Sequence, residues 1–194
     1  TNLIGGQPFS VENMRAVRKV ADENGILIVL DISLVCENMY FIKMREPEFM
    51  DKSPAEILRT LCDLADIIYF SARKISCSRG GGIATRNRDL YLRMRDLIPL
   101  FEGFLTYGGI SVREIESMAV GLREATDWNV IRHSPEFIKY LVDSLDAKGI
   151  PVSTPAGGLG AHLDARGFLP HLTSFDYPAG ALAAALYIVS GVRG

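Results

Sequence analysis

Two ionisable residues stand just past apolar runs. Asp31 follows "ILIVL", and Lys74 follows "IIYFSA" with Arg73 beside it and Ser71 three positions before it. Each run reads as a strand, so both residues fall at strand carboxyl ends, the edge of an open parallel sheet where ligands bind. An amine placed there is a candidate Schiff-base or general-base lysine, because desolvation and a neighbouring cation such as Arg73 lower its pKa and free the nucleophile. A carboxylate after five apolar residues is poorly solvated until a cation meets it. At about 4 Å and an effective dielectric of ~20, that partner returns roughly 4 kcal/mol. The plainer alternatives are a cap or ion-pair role for Asp31 and solvated strand-end charges for Arg73 and Lys74. The three residues Asp31, Ser71 and Lys74 together form the set that pyridoxal phosphate chemistry requires. The lysine forms the aldimine, the carboxylate keeps the pyridine nitrogen protonated, and the hydroxyl reaches the phosphate.

Other motifs carry less. "RGGGIATR" lacks the Gly-Lys-Ser/Thr of a phosphate-binding Walker loop and the spaced glycines of a dinucleotide fingerprint. Its glycines predict a tight turn and a close backbone approach. "YGG" at 107–109 and "AGG" at 156–158 are turn signals. His133, His162 and His171 are scattered, and Cys36, Cys62 and Cys77 show no metal-ligand spacing. The cysteines read as reduced structural thiols of a cytoplasmic protein.

The elements that must position these residues follow from periodicity and caps. "SVENMRAVRKVADENG" predicts a helix capped by Ser10, with Val11, Met14, Val17, Val20 and Ala21 on its apolar stripe and Gly25 closing it. "ILIVLDIS" and "IIYFSA" predict parallel strands buried on both faces. Between them "SPAEILRTLCDLADI" predicts a helix with Ser53 as cap and Pro54 at its first position. "GGGIATR" predicts another short strand. "RDLYLRMRDLIPLF", "VREIESMAVGLREATDW", "PEFIKYLVDSLDAKG" and "PAGALAAALYIVSG" predict helices, and "IPVSTPAGGLGAHLDA" predicts an extended, glycine-broken stretch. The order argues for an α/β layer with a mostly parallel sheet. The expected divisions are 1–110, part of a large domain, 111–150, connecting helices, and 151–194, the start of a smaller α/β lobe.

With 194 residues, 48% hydrophobic and 23% charged, and a net charge of −2, the composition is that of a globular protein. It lacks the concentrated basic face of a nucleic-acid binder and any apolar run near the roughly 20 residues that span a bilayer. The expectation is therefore a small-molecule site, with no nucleic acid and no membrane. Both ends of the chain read as cuts through a longer protein.

Four stretches carry a resemblance: "NLIGGQPFSVENMRAVRKVADENGI", "ENMYFIK", "YGG" with "GLREA", and "LPHLTSFDYPAGALAAALY". They resemble the aromatic amino acid β-eliminating lyases, the tyrosine phenol-lyase and tryptophanase family. "NMRAVR", "KSPAEI" and "GLREAT" lean toward the tyrosine enzymes. The resemblance implies the pyridoxal phosphate-dependent, aspartate aminotransferase-like fold and homo-oligomers, dimers or tetramers, with the site at a dimer interface. It implies Lys74 as the cofactor lysine, Asp31 as partner of the pyridinium nitrogen, Asn2 as a donor to the ring's phenolic oxygen and Ser71 as a phosphate ligand. Arg73 keeps the charge of the basic pair, and the backbone at Arg79 matches part of a potassium site. The implied reaction is β-elimination from an aromatic amino acid, giving phenol or indole with pyruvate and ammonia. Two rivals are another reaction at the β-carbon or an aldol cleavage, and a non-catalytic subunit. This chain departs from the family in having Leu34 where the family has arginine, and Leu159 where it has histidine, with His162 close by. The family's phosphate cup, ring stacker and substrate-carboxylate arginine lie in segments that the resemblance does not cover.

Overall fold

A computed structural model describes residues 5–101, 103, 104 and 109–194, so Asn2 lies outside the described residues, as do Tyr107 and Gly108. The chain divides into two units. The first, Pro8–His133, carries both strand ends of interest. Its elements run α1 (Val11–Glu23), β1 (Val29–Asp31), α2 (Val35–Arg45), α3 (Pro54–Asp63), β2 (Ile67–Ser71), α4 (Ala72–Ile75), β3 (Gly81–Thr85), α5 (Arg88–Arg95), α6 (Ile98–Phe101), α7 (Val112–Glu124) and α8 (Trp128–Ile131).

The caps read from the sequence are present. The Ser10 hydroxyl accepts from the Asn13 amide at 3.0 Å, and Ser53 forms a reciprocal capping box with Glu56 ahead of Pro54. The α1 stripe is shifted from expectation. Val11, Met14 and Ala21 are buried, whereas Val17 and Val20 are exposed, because the half-buried Arg18 takes the inner face beside them. The Val11 amide donates to the Glu46 carboxylate at 3.0 Å, joining the start of α1 to the end of α2.

The sheet runs β1-β2-β3, with β1 and β2 parallel and β2 and β3 antiparallel. This corrects the expectation of a mostly parallel sheet. Two helices fill the crossover from β1 to β2, but the return from Ser71 to Gly81 is a short excursion closed by the Ala72 amide on the Gly80 carbonyl at 3.0 Å. A parallel neighbour needs a crossover of about a dozen residues or more, so the short return forces antiparallel pairing. Nor are the strands buried on both faces: Val29 is 55% and Tyr69 41% exposed. Ile68 and Phe70 pack against the core while Tyr69, between them, faces out, the alternation of a one-sided sheet.

One cluster forms the core of this unit, with Val11 and Met14 from α1, Leu30 and Ile32 from the β1 region, Met39 and Ile42 from α2, and Ile57 and Leu61 from α3. The Asn38 side chain, buried in α2, brackets the main chain of Phe9 through both its carbonyl and its amide, at 2.9 and 3.0 Å. Helix α7 approaches the chain after α4 so closely at Gly121 that a Cβ there would collide with the Ser76 carbonyl.

The second unit comprises Ser134–Gly194 with the N-terminal residues up to Gln7. It holds the body of α9 (His133–Asp146), α10 (Ala165–Phe168) and α11 (Pro178–Ser190), with a single bridge pairing Val152 and Leu163. Gly191 ends α11 at a φ of +74°, a left-handed cap that suits glycine.

Two predictions follow from the first unit. Asp66, just ahead of β2, accepts from the amide of Ile28, just ahead of β1, and from Arg18, both at 2.7 Å. These bonds, the amide first, hold the Asp66 carboxyl below its ordinary value. A depressed native pKa contributes stability that is complete above the unfolded value near 4 and is lost as pH falls through the native one. Asp66→Asn should therefore cost about 1 kcal/mol at neutral pH and flatten the acid limb of stability, read from urea midpoints against pH. Gly121→Ala should lower stability by about 1–3 kcal/mol through overpacking, read from the same midpoints.

Candidate active site

Parallel register places Asp31 beside Tyr69, so β1 and β2 end at one edge of the sheet. Two positions beyond Asp31, the chain turns inward at Ser33, which is only 4% exposed. The Ser33 amide donates to Asp31 Oδ1 at 2.9 Å, and the Ser33 hydroxyl accepts from the Ser71 amide at 2.8 Å. Ser33 thus ties the carboxylate of one strand to the main chain at the end of the next.

Partial burial pushes the Asp31 carboxyl up. Hydrogen bonds from the Ser33 hydroxyl and amide and from the Tyr69 phenol, with the charge of Lys74, outweigh that and hold it below its ordinary value. The Tyr69 phenol is raised in turn by the hydrogen bond to Asp31 and by that charge. Asp31 and Lys74 therefore lie close enough for the charge of one to act on the other.

Lys74 does not sit on the strand itself. β2 stops at Ser71, and Lys74 occupies the one-turn helix α4, exposed to solvent rather than buried. The strand cannot continue because the chain must turn back to pair as β3. The loop carrying the lysine is nevertheless well tied. The Ala72 carbonyl accepts from the Ser76 amide at 2.9 Å, the Ser76 hydroxyl at 2.9 Å and the Ser78 amide at 3.2 Å, and the two buried serine hydroxyls meet at 3.1 Å. Cys77, between them, takes a φ of +50°, a left-handed conformation uncommon outside glycine.

The glycines that follow act as expected of a turn and a close approach. Gly80 has a φ of +88°, and a Cβ at Gly82 would meet the Phe70 ring. Arg73 is exposed and lines a cleft with Cys77, Ser78, Arg79 and Glu114. The Arg79 amide donates to Glu114 at 3.2 Å. Leu34 is half-buried at the N-cap of α2, one position past Ser33. His133, His162 and His171 form no cluster, and no group of three or more metal-ligating side chains occurs among the described residues.

The structure thus brings together Asp31, Ser71 and Lys74, with Arg73 on the same turn. Ser33 and Tyr69 escaped sequence reasoning. An Asp-x-Ser turn could have signalled the first. The second needs the strand register, which one sequence does not reveal.

The model of the Beta-eliminating lyase family matches residues 1–190. A tyrosine phenol-lyase of Lacrimispora saccharolytica is 44% identical over 99% of this chain and 42% of its own length. A protein of Aeropyrum pernix named "probable tryptophanase" is 40% identical over 99% of this chain and 41% of its own. The chain thus spans about two fifths of the length of these curated relatives. Among solved structures, a Listeria monocytogenes protein carrying the name L-allo-threonine aldolase superposes with a TM-score of 0.62 at 22% identity, covering 82% of this chain and 40% of that one. A protein of Exiguobacterium named as an aromatic amino acid beta-eliminating lyase/threonine aldolase gives 0.61 at 20% identity, covering 80% and 39%. At that identity the likeness speaks for the α/β fold, and with the family match over nearly the whole sequence, the chain belongs to the beta-eliminating lyase family.

Proposed function

We propose that the full protein is a pyridoxal phosphate-dependent carbon–carbon lyase that converts tyrosine and water to phenol, pyruvate and ammonia. The observation that carries the reading is the convergence of Asp31 and Lys74 at one sheet edge, where the lysine's charge acts on a carboxylate already held ionised by Ser33 and Tyr69. This donor set fits the cofactor: an exposed amine to take its aldehyde carbon, a lowered carboxylate to face its ring nitrogen, and Ser71 and Arg73 for its phosphate. When bound, the pyridine ring supplies the sink for negative charge at the substrate's α-carbon.

The residues of this chain divide the work. Lys74 Nζ would hold the cofactor, and as a free amine it would be the base that takes the substrate's α-proton. Asp31, already hydrogen-bonded by the Ser33 amide, would offer its negative charge to the ring nitrogen without waiting for side chains to reorganise. The Ser33 tie joins the end of β1, which carries Asp31, to the end of β2, from which the lysine's turn departs. Asn2 is assigned to the ring oxygen, and potassium at the Arg79 backbone, dimeric or tetrameric assembly and the division at residues 110 and 150 belong to the same proposal; resemblance supports them.

Leu34 favours a second reading, in which a related enzyme of this fold performs another β-carbon or aldol reaction. A leucine supplies neither hydrogen bond nor charge where the family has a guanidinium.

Lys74→Ala in the full-length protein should abolish the visible absorption that pyridoxal phosphate gains on binding and lower kcat by at least about 10²–10⁴-fold. An unchanged spectrum would sink the assignment. Product analysis separates the readings. Pyruvate should appear from tyrosine; pyruvate from tryptophan or S-alkylcysteine alone, or glycine from a β-hydroxy amino acid, would favour a relative. Leu34→Arg should then raise tyrosine turnover.

A further inference from the structure

We propose that Tyr69 is a positioning residue for Asp31, its phenol reaching across from the neighbouring strand to fix the carboxylate in the orientation that meets a cofactor's ring nitrogen. The proposal rests on the functional reading above and adds a residue to its site.

Three observations converge on it. Asp31 and Tyr69 are partners in a parallel register, so their side chains project from the same face of the sheet. That face is the open one. Ile68 and Phe70 on either side of Tyr69 pack against the core, whereas Tyr69 is 41% exposed and lies outside that cluster. Beside it, the Asp31 carboxylate holds the phenol above its ordinary value, through hydrogen bonding and its charge. Strand propensity alone would account for an aromatic at an outward position, but not for a phenol coupled to the carboxylate next to it.

The Ser33 amide donates to Asp31 Oδ1 at 2.9 Å from the turn after β1, and Tyr69 lies beside Asp31 on β2, so the carboxylate is met from its own turn and from the neighbouring strand. An ionised carboxylate offers about four lone-pair sites, which leaves acceptor capacity for a protonated ring nitrogen. Lys74 is the further charge acting on this carboxylate, and Asp31 is the charge acting on the phenol.

The test uses the full-length protein. Tyr69→Phe keeps the ring and removes only the hydroxyl. In cofactor-free protein, an ultraviolet difference titration of wild type against Tyr69→Phe should show a phenol titrating above the ordinary tyrosine range. Asp31→Asn should return it to that range, a measurement that keeps Tyr69 and does not depend on the Phe variant folding. Tyr69→Phe should then weaken pyridoxal phosphate binding about tenfold, the factor expected of a hydrogen bond to a charged group. Asp31→Asn should weaken it more, and the double variant should bind no worse than Asp31→Asn alone. A phenol that ignores Asp31→Asn, a Tyr69→Phe affinity equal to wild type, or losses that multiply in the double variant would each overturn the proposal alone. Wild-type protein that takes up no pyridoxal phosphate would overturn the functional reading and this proposal with it.

Discussion

Val29 with Ile67, Leu30 with Ile68 and Asp31 with Tyr69 run side by side, and the candidate site is built from what lies just beyond the last pair. A slip of one residue in this pairing would turn every side chain of β1 to the other face and take Asp31 away from both Tyr69 and the lysine loop. Three pairs are a short ladder for so much to depend on. Side chains hold it at both ends. Asp66 binds the Ile28 amide ahead of the strands, and Ser33 binds the Ser71 amide beyond them. The register is thus fixed by polar clamps as much as by the apolar contacts of Leu30 and Ile68.

The lysine loop meets a different demand. On the proposed reading, Lys74 must move and carry a proton, which needs room, and the residue is exposed. Its main chain is not free to follow. Three donors converge on the Ala72 carbonyl, Gly80 closes the loop, and Gly121 of α7 rests against Ser76. Mobility is left to the four-carbon side chain while the backbone stays anchored to β2. The electrostatics of the pair follow from the same geometry. Burial pushes the Asp31 carboxyl up, and the hydrogen-bond donors of Ser33 and Tyr69, with the lysine's charge, more than offset it.

The sequence made some of this legible and hid the rest for physical reasons. Ser10, Ser53 and Pro54 announce their helices because capping is local chemistry, settled within four residues. Asp31 and Lys74 were legible as strand-end groups because apolar runs end where they stand. Helix α2 was not. Val35, Met39 and Ile42 share its buried stripe, but Cys36, Tyr40, Phe41 and Met44 spread apolar residues round the other faces, so the sequence shows no single stripe. The antiparallel turn of β3 was hidden because it depends on how short the loop after Ser71 is, not on the composition of β3. The α-helical turn under Lys74 is set by the same loop. Ser33 and Tyr69 depend on which residue of one strand lies beside which of the other, and periodicity is silent on that. Gly121 could be read as a helix glycine but not as the point where α7 meets Ser76.

Leu34 is where the local and family readings bear on each other most directly. It follows Ser33 and opens α2, so a guanidinium at this position would stand one residue from the carboxylate's main donor. Had Asp31 depended on that cation to remain ionised, the leucine would have left it to burial, which pushes the carboxyl up. Instead its pKa lies below the ordinary value, because Ser33, Tyr69 and Lys74 suffice. The negative charge that, on the proposed reading, would face the ring nitrogen does not rest on the residue at position 34. What a leucine removes, by the resemblance, is a donor and a positive charge near the ring oxygen. On the proposed reading, the substitution bears on which bond breaks after the α-proton is taken, while the machinery that takes the proton stays in place.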